Sequence, residues 1–481
     1  MKKRILAILL SLMISFSFIP IYPVYAAATS TDAVISSMEV DSNISSWALN
    51  DLIVGDNYDI YPISWDSYDM TVPISEINII NLICAVRGKL VGTACVSKNP
   101  SVVYPTDEKM TVQEVLNAFY YLLTNMEFTK DDGFSGKSAV TNMKVAGIYT
   151  GKNGEPALTD ICSIEAACVY ATRIITYMYD KMDAASKGFL WETKSGENTV
   201  YMLGSIHLGS TDIYPLSNTI LDAYNSADDL VVELNAFNSD GAKSFMALGM
   251  YADGTTLKEH VSADTYQKVI TLAAKYGYTE DVIAQLKPWY IDTLFSSLSY
   301  TDSGNSDDAS RAANLGIDVN FMINAYIYGK PMLEVEGYEY QAQVLDSFSD
   351  DLDEYLLNDT VDSLNELLNG ATNMNTIYLD NMLELWHEGD SDGFLKYSSL
   401  DEDYAFTDTT EESEADKILF QEYKDKLLTQ RDLGMADYID QLLKTEGSNT
   451  YFVVVGSAHY ISDYSVLDIL KSKGYEITQL K

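Results

Sequence analysis

Thr199-Val200-Tyr201-Met202-Leu203-Gly204-Ser205-Ile206-His207 and Tyr451-Phe452-Val453-Val454-Val455-Gly456-Ser457-Ala458-His459 share one design. In each, a short apolar strand runs into Gly-Ser-x-His. The glycine lets the backbone turn sharply as it leaves a sheet, so each histidine is expected just past a strand's carboxyl end. In α/β sheets that edge is where ligands bind. The two histidines are 252 positions apart. If their strands are neighbours, both imidazoles reach one crevice.

A third strand is expected at Leu230-Val231-Val232-Glu233-Leu234, with Glu233 inside an apolar run. A carboxylate there is costly unless it is paired or bound to a metal. Two histidines and one carboxylate at a sheet edge form a divalent-metal set with open positions: His207, Glu233 and His459. The plainer alternative is that each histidine caps a strand end and Glu233 pairs with Arg431. The remaining histidines, His260 and His387, lie in polar contexts and read as surface residues.

Working outward, residues 187–481 alternate strands and helices. Residues 263–275 and 281–300 read as amphipathic helices, Lys330–Val335 as a strand, and 344–385 as helical and acidic. Ser465–Lys473 reads as a helix and Glu476–Leu480 as a closing strand. This alternation predicts an α/β or α+β domain, a central β-sheet flanked by helices. Residues 401–416 hold eight acids and no base, which reads as a solvated insertion. A calcium loop is the sharper alternative, but its D-x-[DN]-x-[DN]-G pattern is absent.

The chain has 481 residues, 47% hydrophobic and 21% charged, which is ordinary globular composition. Its formal net charge of −40 is not ordinary. Such a surface repels phosphate backbones and argues against nucleic-acid and anionic-membrane partners. Residues 1–26 open with Lys2, Lys3 and Arg4, continue apolar to Ile19, and end at Val24-Tyr25-Ala26. That is the pattern of a secretory signal peptide, so the mature protein is expected outside the cell and free of the membrane. Residues 27–40 read as a flexible lead-in. Export permits disulfides among Cys84, Cys95, Cys162 and Cys168, in any of three pairings. The alternative is free cysteines acting as small hydrophobes. The nucleophile-elbow pattern G-x-S-x-G is absent.

Residues 41–186 read as a small, mainly helical domain. Three of its segments open an apolar helix with an early glutamate, Glu76, Glu114 or Glu165, which suits the helix dipole. This triple pattern resembles degenerate S-layer homology repeats, which implies attachment to cell-wall polysaccharide. The basic residue such repeats carry before the glutamate is missing: Ser75, Gln113 and Ile164 stand there.

Residues 187–481 resemble the TraB/PrgY/GumN family, which includes the Tiki proteases. The match runs from Leu190-Trp191 through Gly204–Gly209 and Val231–Leu234. It continues at Gly316-Ile317-Asp318, at Lys330-Pro331 through Glu334 and Glu336 to Gln341, and at Trp386 with Gly389-Asp390. Arg431 and Phe452–His459 close it. The resemblance implies a sheet flanked by helices, related to erythromycin-esterase-like and ChaN-like proteins. It implies a metal-dependent protease using manganese or cobalt, with zinc or iron left open, held by His207, Glu233 and His459. In that scheme Glu336 or Asp318 serves as general base, and Arg431 stabilises an oxyanion or grips a substrate carboxylate. The substrate would be a peptide or small molecule. The rival reading is a protein that sequesters a pheromone-like peptide without cleaving it. Two departures concern the pocket rim: Tyr460 follows His459 where the family has leucine, and Asp432 follows Arg431 where it often has asparagine.

Overall fold

A computed structural model of the chain describes residues 44–61, 69–91, 95–97 (backbone alone), 109–128, 130–134, 138–152, 154–399 and 413–480. The proposed signal peptide and lead-in, the side chain of Cys95 and most of the acidic stretch 401–416 lie outside the described residues. What is described divides into two compact units. One comprises 44–186 with Thr211–Asn218, the other Lys187–Ser210 with 219–480.

The first unit is built on three helices, α1 (Glu76–Val91), α2 (Val112–Thr124) and α3 (Ile164–Met182). Each opens on a hydroxyl that accepts from a backbone N–H three residues on: Ser75 from Asn78, Thr111 from Glu114, Ser163 from Ala166. Such caps satisfy donors that the first helical turn leaves open. Glu114 completes a capping box, its carboxylate accepting from the Thr111 N–H at 2.7 Å. The three entry segments are also stitched together. The Cys162 N–H donates to Met110 at 2.8 Å, Ile74 to Cys162 at 2.9 Å and Ile164 to Val72 at 3.0 Å. The repeated pattern in the sequence is thus one repeated helix entry, with its three copies hydrogen-bonded in a row. Cys84, Cys162 and Cys168 are free thiols.

The second unit carries a six-stranded mixed sheet: β1 (Phe189–Ser195), β2 (Asn198–Ser205), β3 (Asp229–Val232), β4 (Met332–Glu334), β5 (Thr450–Gly456) and β6 (Ile477–Leu480). Their order across the sheet is β4-β3-β5-β2-β1-β6. The middle strands β3, β5 and β2 run parallel with β4, while β1 pairs antiparallel with β2 and β6. Helices flank this sheet, so its central strands are buried on both faces and read as continuous apolar runs. The two Gly-Ser-x-His strands are immediate neighbours, in register from Thr199↔Thr450 to Ser205↔Gly456.

Four boundaries differ from the sequence reading. β3 stops at Val232, so Glu233 stands just beyond the strand; its carbonyl accepts from the Glu336 and Gly337 N–H groups at 3.0 and 2.9 Å as the chain leaves the sheet. The helix expected at 281–300 is two, Glu280–Ile283 and α4 (Pro288–Ser299), because Lys287 precedes a proline and is extended. The long helical span at 344–385 is broken by caps at Ser349 and Asn373. The strand expected at Lys330–Val335 shortens to β4.

α5 (Ile317–Tyr328) packs Phe321 on Phe452 of β5, while α4, α6 (Tyr338–Asp346) and α7 (Asp350–Leu368) belong to a separate helical layer. Trp289, Phe295, Leu356, Leu357, Tyr423 and Leu427 belong to its buried core. Helix Glu414–Lys424 passes through a π-turn, Asp425–Thr429, into α8 (Gln430–Lys444). Irregular helical turns of this kind recur at functional sites, and Arg431 and Asp432 follow directly. Among the described residues, no helix is long and apolar enough to cross a membrane.

Candidate functional site

Four parallel strands deliver one residue each to the same edge. His207 follows β2, Glu233 follows β3, Glu336 follows β4 and His459 follows β5. Their convergence is clearest at Gly456. A methyl group on its α-carbon would stand 3.4 Å from Glu233 Oε1, 3.6 Å from His207 Nε2 and 3.6 Å from His459 Cδ2. The missing side chain leaves the space that the three groups share. His207, Glu233, Asp318 and Gln341, with Met322 and Val454, also line a narrow crevice of about 10 Å³, close to the room a single water needs.

Both imidazoles are buried, His207 at 3% exposure and His459 at 0%. Each is held through Nδ1 by an aspartate. His207 Nδ1 lies 2.9 Å from Asp318 Oδ2, and His459 Nδ1 lies 2.6 Å from Asp432 Oδ1. Asp318 sits in the first turn of α5, where the helix dipole favours a carboxylate. That turn is seated by Gly316. The Ile317 N–H donates to Ile206, and a methyl group at Gly316 would come within 2.3 Å of the His207 carbonyl oxygen. On the other side, the Trp386 indole N–H donates to the Gly204 carbonyl at 2.8 Å and pins the turn into Gly-Ser-x-His.

Arg431, 2% exposed, forms the hub of the acidic side. Its Nε donates to Glu336 Oε1 at 2.9 Å, and its Nη2 donates to Glu336 Oε2 at 2.8 Å and Glu233 Oε2 at 2.5 Å. Gln341 Nε2 bridges the same two carboxylates at 3.1 and 3.0 Å. The Gly456 N–H holds Glu233 Oε1 at 2.7 Å. Burial opposes ionisation of Glu233, yet Arg431, with His459 and His207 near it, keeps its carboxyl well below the usual range. Burial likewise opposes a positive His207, but the Asp318 carboxylate outweighs it and raises the imidazole above its ordinary value. Asp432 is pushed upward by burial, against the hydrogen bond to His459.

All six residues singled out from the sequence therefore meet at one edge. The Glu233–Arg431 ion pair, the plainer of the two readings of Glu233, is present. Among the described residues, no three His, Cys, Asp or Glu side chains are already gathered as a metal shell. Both Glu233 oxygens are engaged by Arg431, Gln341 and Gly456. What suits a divalent ion is the donor chemistry. Both rings are anchored through Nδ1 in the manner of metal-binding histidines. His459 Nε2 is buried and has no hydrogen-bond partner among the described residues. Two contributors had no role assigned from sequence. Gln341 stands five residues after Glu336, and Asp432 directly follows Arg431; neither spacing points to its partner. His260 and His387 lie outside the site and are half-buried rather than fully exposed. His260 stacks on Tyr251 with centroids 4.4 Å apart.

The fold and this edge define an α/β protein with two glycine-led histidines at the carboxyl ends of its parallel strands. The model of the TraB/PrgY/gumN family matches residues 189–479, and the chain belongs to that family. It is 28% identical over 153 residues to an uncharacterized protein, YbaP, of Escherichia coli K12, covering 32% of this chain and 54% of that one. This chain thus spans about half of YbaP's length. It is 20% identical over 320 residues to a Metalloprotease TIKI homolog of Nematostella vectensis, covering 61% and 67% of the two chains. With Metalloprotease TIKI2 of Danio rerio it shares 20% over 318 residues, 60% of each. No solved structure matches the chain.

Proposed function

We propose that the protein is a metal-dependent hydrolase that cleaves peptides. The observation that carries this reading is the convergence of His207, His459 and Glu233 over Gly456, with each ring oriented by an aspartate. The TIKI relatives, named as metalloproteases, support it. His207 and His459 would hold the ion through Nε2, and Glu233 through Oε1. A bound divalent ion supplies Lewis acidity toward a scissile carbonyl and its attacking water.

The chain's own groups prepare that step. Asp318 and Asp432 orient the imidazoles. Arg431 and Gln341 keep Glu233 ionised and fixed, and Met322 and Val454 limit water in the crevice. Arg431 spends its fork on two carboxylates, so we assign it to positioning rather than to an oxyanion or substrate carboxylate. Glu336 and Asp318 are held in the same way and act as positioning groups. Manganese and cobalt are the metals to try first.

The test is metal content by mass spectrometry on the full chain, beside the His207→Ala/His459→Ala double variant. About one divalent ion per chain, lost in the variant, together with metal-dependent cleavage of a peptide library, supports the assignment. No ion in either protein after metal is added sinks it.

A second reading, a peptide-binding protein without turnover, draws on one observation. Glu233 is already satisfied by Arg431, Gln341 and Gly456, as in a scaffold that works without metal. Peptide capture with no product by mass spectrometry favours it. We also take residues 1–26 as a signal for secretion; an intact N-terminus on protein recovered from cells, with none in the medium, refutes that. Residues 41–186 we take as an accessory domain, and binding of the chain to purified wall sacculi would give it an anchoring role.

A further inference from the structure

We propose that Asp432 is a positioning residue that locks His459 in one tautomer, with the ring proton on Nδ1 and the Nε2 lone pair bare. The geometry is tight. Asp432 Oδ1 lies 2.6 Å from Nδ1, Asp432 is 1% exposed and His459 is wholly buried. At the other end of the ring, Nε2 is buried without a hydrogen-bond partner among the described residues.

A neutral imidazole carries one proton, and what faces each nitrogen decides where it sits. An ionised carboxylate only accepts, so the proton belongs on Nδ1. With no partner at Nε2, nothing in the protein competes for it there. An asparagine at 432 behaves differently. Its amide can accept through oxygen or donate through nitrogen, and a donating amide would turn Nδ1 into the acceptor and put the proton on Nε2. That would put a proton on the ring nitrogen that the fold leaves bare. Sequence position 432 therefore decides whether the second histidine is set permanently as a ligand. His207 has the matching partner in Asp318, on a different helix. The two rings are thus each held through Nδ1 by an aspartate. The effect on metal affinity rests on the proposed function; the tautomer does not.

The chain has four histidines, so a ¹⁵N-histidine-labelled full-length protein gives a short imidazole spectrum. It is recorded metal-free and mildly alkaline, with His459 assigned by the His459→Gln variant. The expected wild-type pattern is a protonated Nδ1 and an unprotonated Nε2. Asp432→Asn should show a mixed or reversed pattern and about 10- to 100-fold weaker manganese or cobalt binding, and Asp432→Glu should restore both in part. A wild-type His459 protonated on Nε2 overturns the lock, as does an unchanged ring spectrum in Asp432→Asn. Should that variant fail to fold, the wild-type spectrum alone decides. If the tautomer is as proposed but wild type binds no metal, the lock stands and the hydrolase reading falls.

Discussion

Ser205 and Gly456 face each other in the parallel register of β2 and β5, and the Ser457 N–H and hydroxyl both donate to the Ser205 carbonyl at 2.9 Å. This one position ties the exits of the two strands together. It places His207 and His459 on a common edge, with the bare α-carbon of Gly456 facing them both.

That bare carbon gives the first prediction. The three neighbours of a methyl group at Gly456 would stand at 3.4–3.6 Å, ordinary contact distances. Gly456→Ala should therefore fold with little loss of stability while filling the space that the two imidazoles and Glu233 share. Near-native thermal unfolding combined with loss of bound metal is the expected result. Undiminished metal binding would show that the space is not used.

Gly316 is the contrasting case. A methyl group there meets the His207 carbonyl oxygen at 2.3 Å, backbone that cannot swing aside. Overpacking of this kind costs about 1–3 kcal/mol, and Gly316→Ala should lose stability of that order in urea unfolding. A variant as stable as wild type would mean that α5 can back away from the strand edge without penalty.

Arg431→Met should be far more damaging. It removes the only permanent cation that, among the described residues, pairs with two buried carboxylates, Glu233 and Glu336. Breaking one side of a buried ion pair costs about 3–5 kcal/mol. Part of that loss should return when Glu336→Gln is added, because one stranded charge is then gone. A double variant no more stable than Arg431→Met would argue against charge as the cause.

A pH effect should come from the helical layer, away from the strand edge. Burial, together with the neighbouring Asp292, Asp346, Asp350 and Glu422, pushes Asp353 up to about 8; burial pushes Asp292 up to about 6, against its hydrogen bond from Thr360. Both acids hold their protons in the folded chain where the unfolded chain has released them. Stability should therefore fall as pH rises from about 4, the ordinary aspartate value, toward 8. Asp353→Asn should raise the melting temperature at pH 8 and change it little at pH 4. Equal effects at both would separate the stability change from ionisation.

Much of the site could be read before folding because its signals are local. Gly-Ser-x-His after an apolar run, a glutamate against the apolar grain and an early glutamate at each helix entry depend on backbone turns, desolvation and the helix dipole over a few residues. Those rules located His207, Glu233 and His459, the strands that carry them and the three capped helices of the first unit. The resemblance added Glu336 and Asp318 and a site role for Arg431, whose pairing with Glu233 the residues had already suggested, but not the other contacts that employ them.

The contacts belong to tertiary structure. That β2 and β5 are neighbours, across more than two hundred intervening residues, depends on which strand order buries the most apolar surface, and no local pattern encodes that order. Asp318 meets His207 because Gly316 lets α5 press against the strand exit. Asp432 meets His459, and Arg431 meets Glu233 and Glu336, because α8 leaves its π-turn beside the sheet edge. Hydrogen bonds act over about 3 Å, so each partnership exists only once the long-range packing has brought its two ends together. The sequence by itself determined the donor groups and their strand ends; the tertiary structure decided which group holds which.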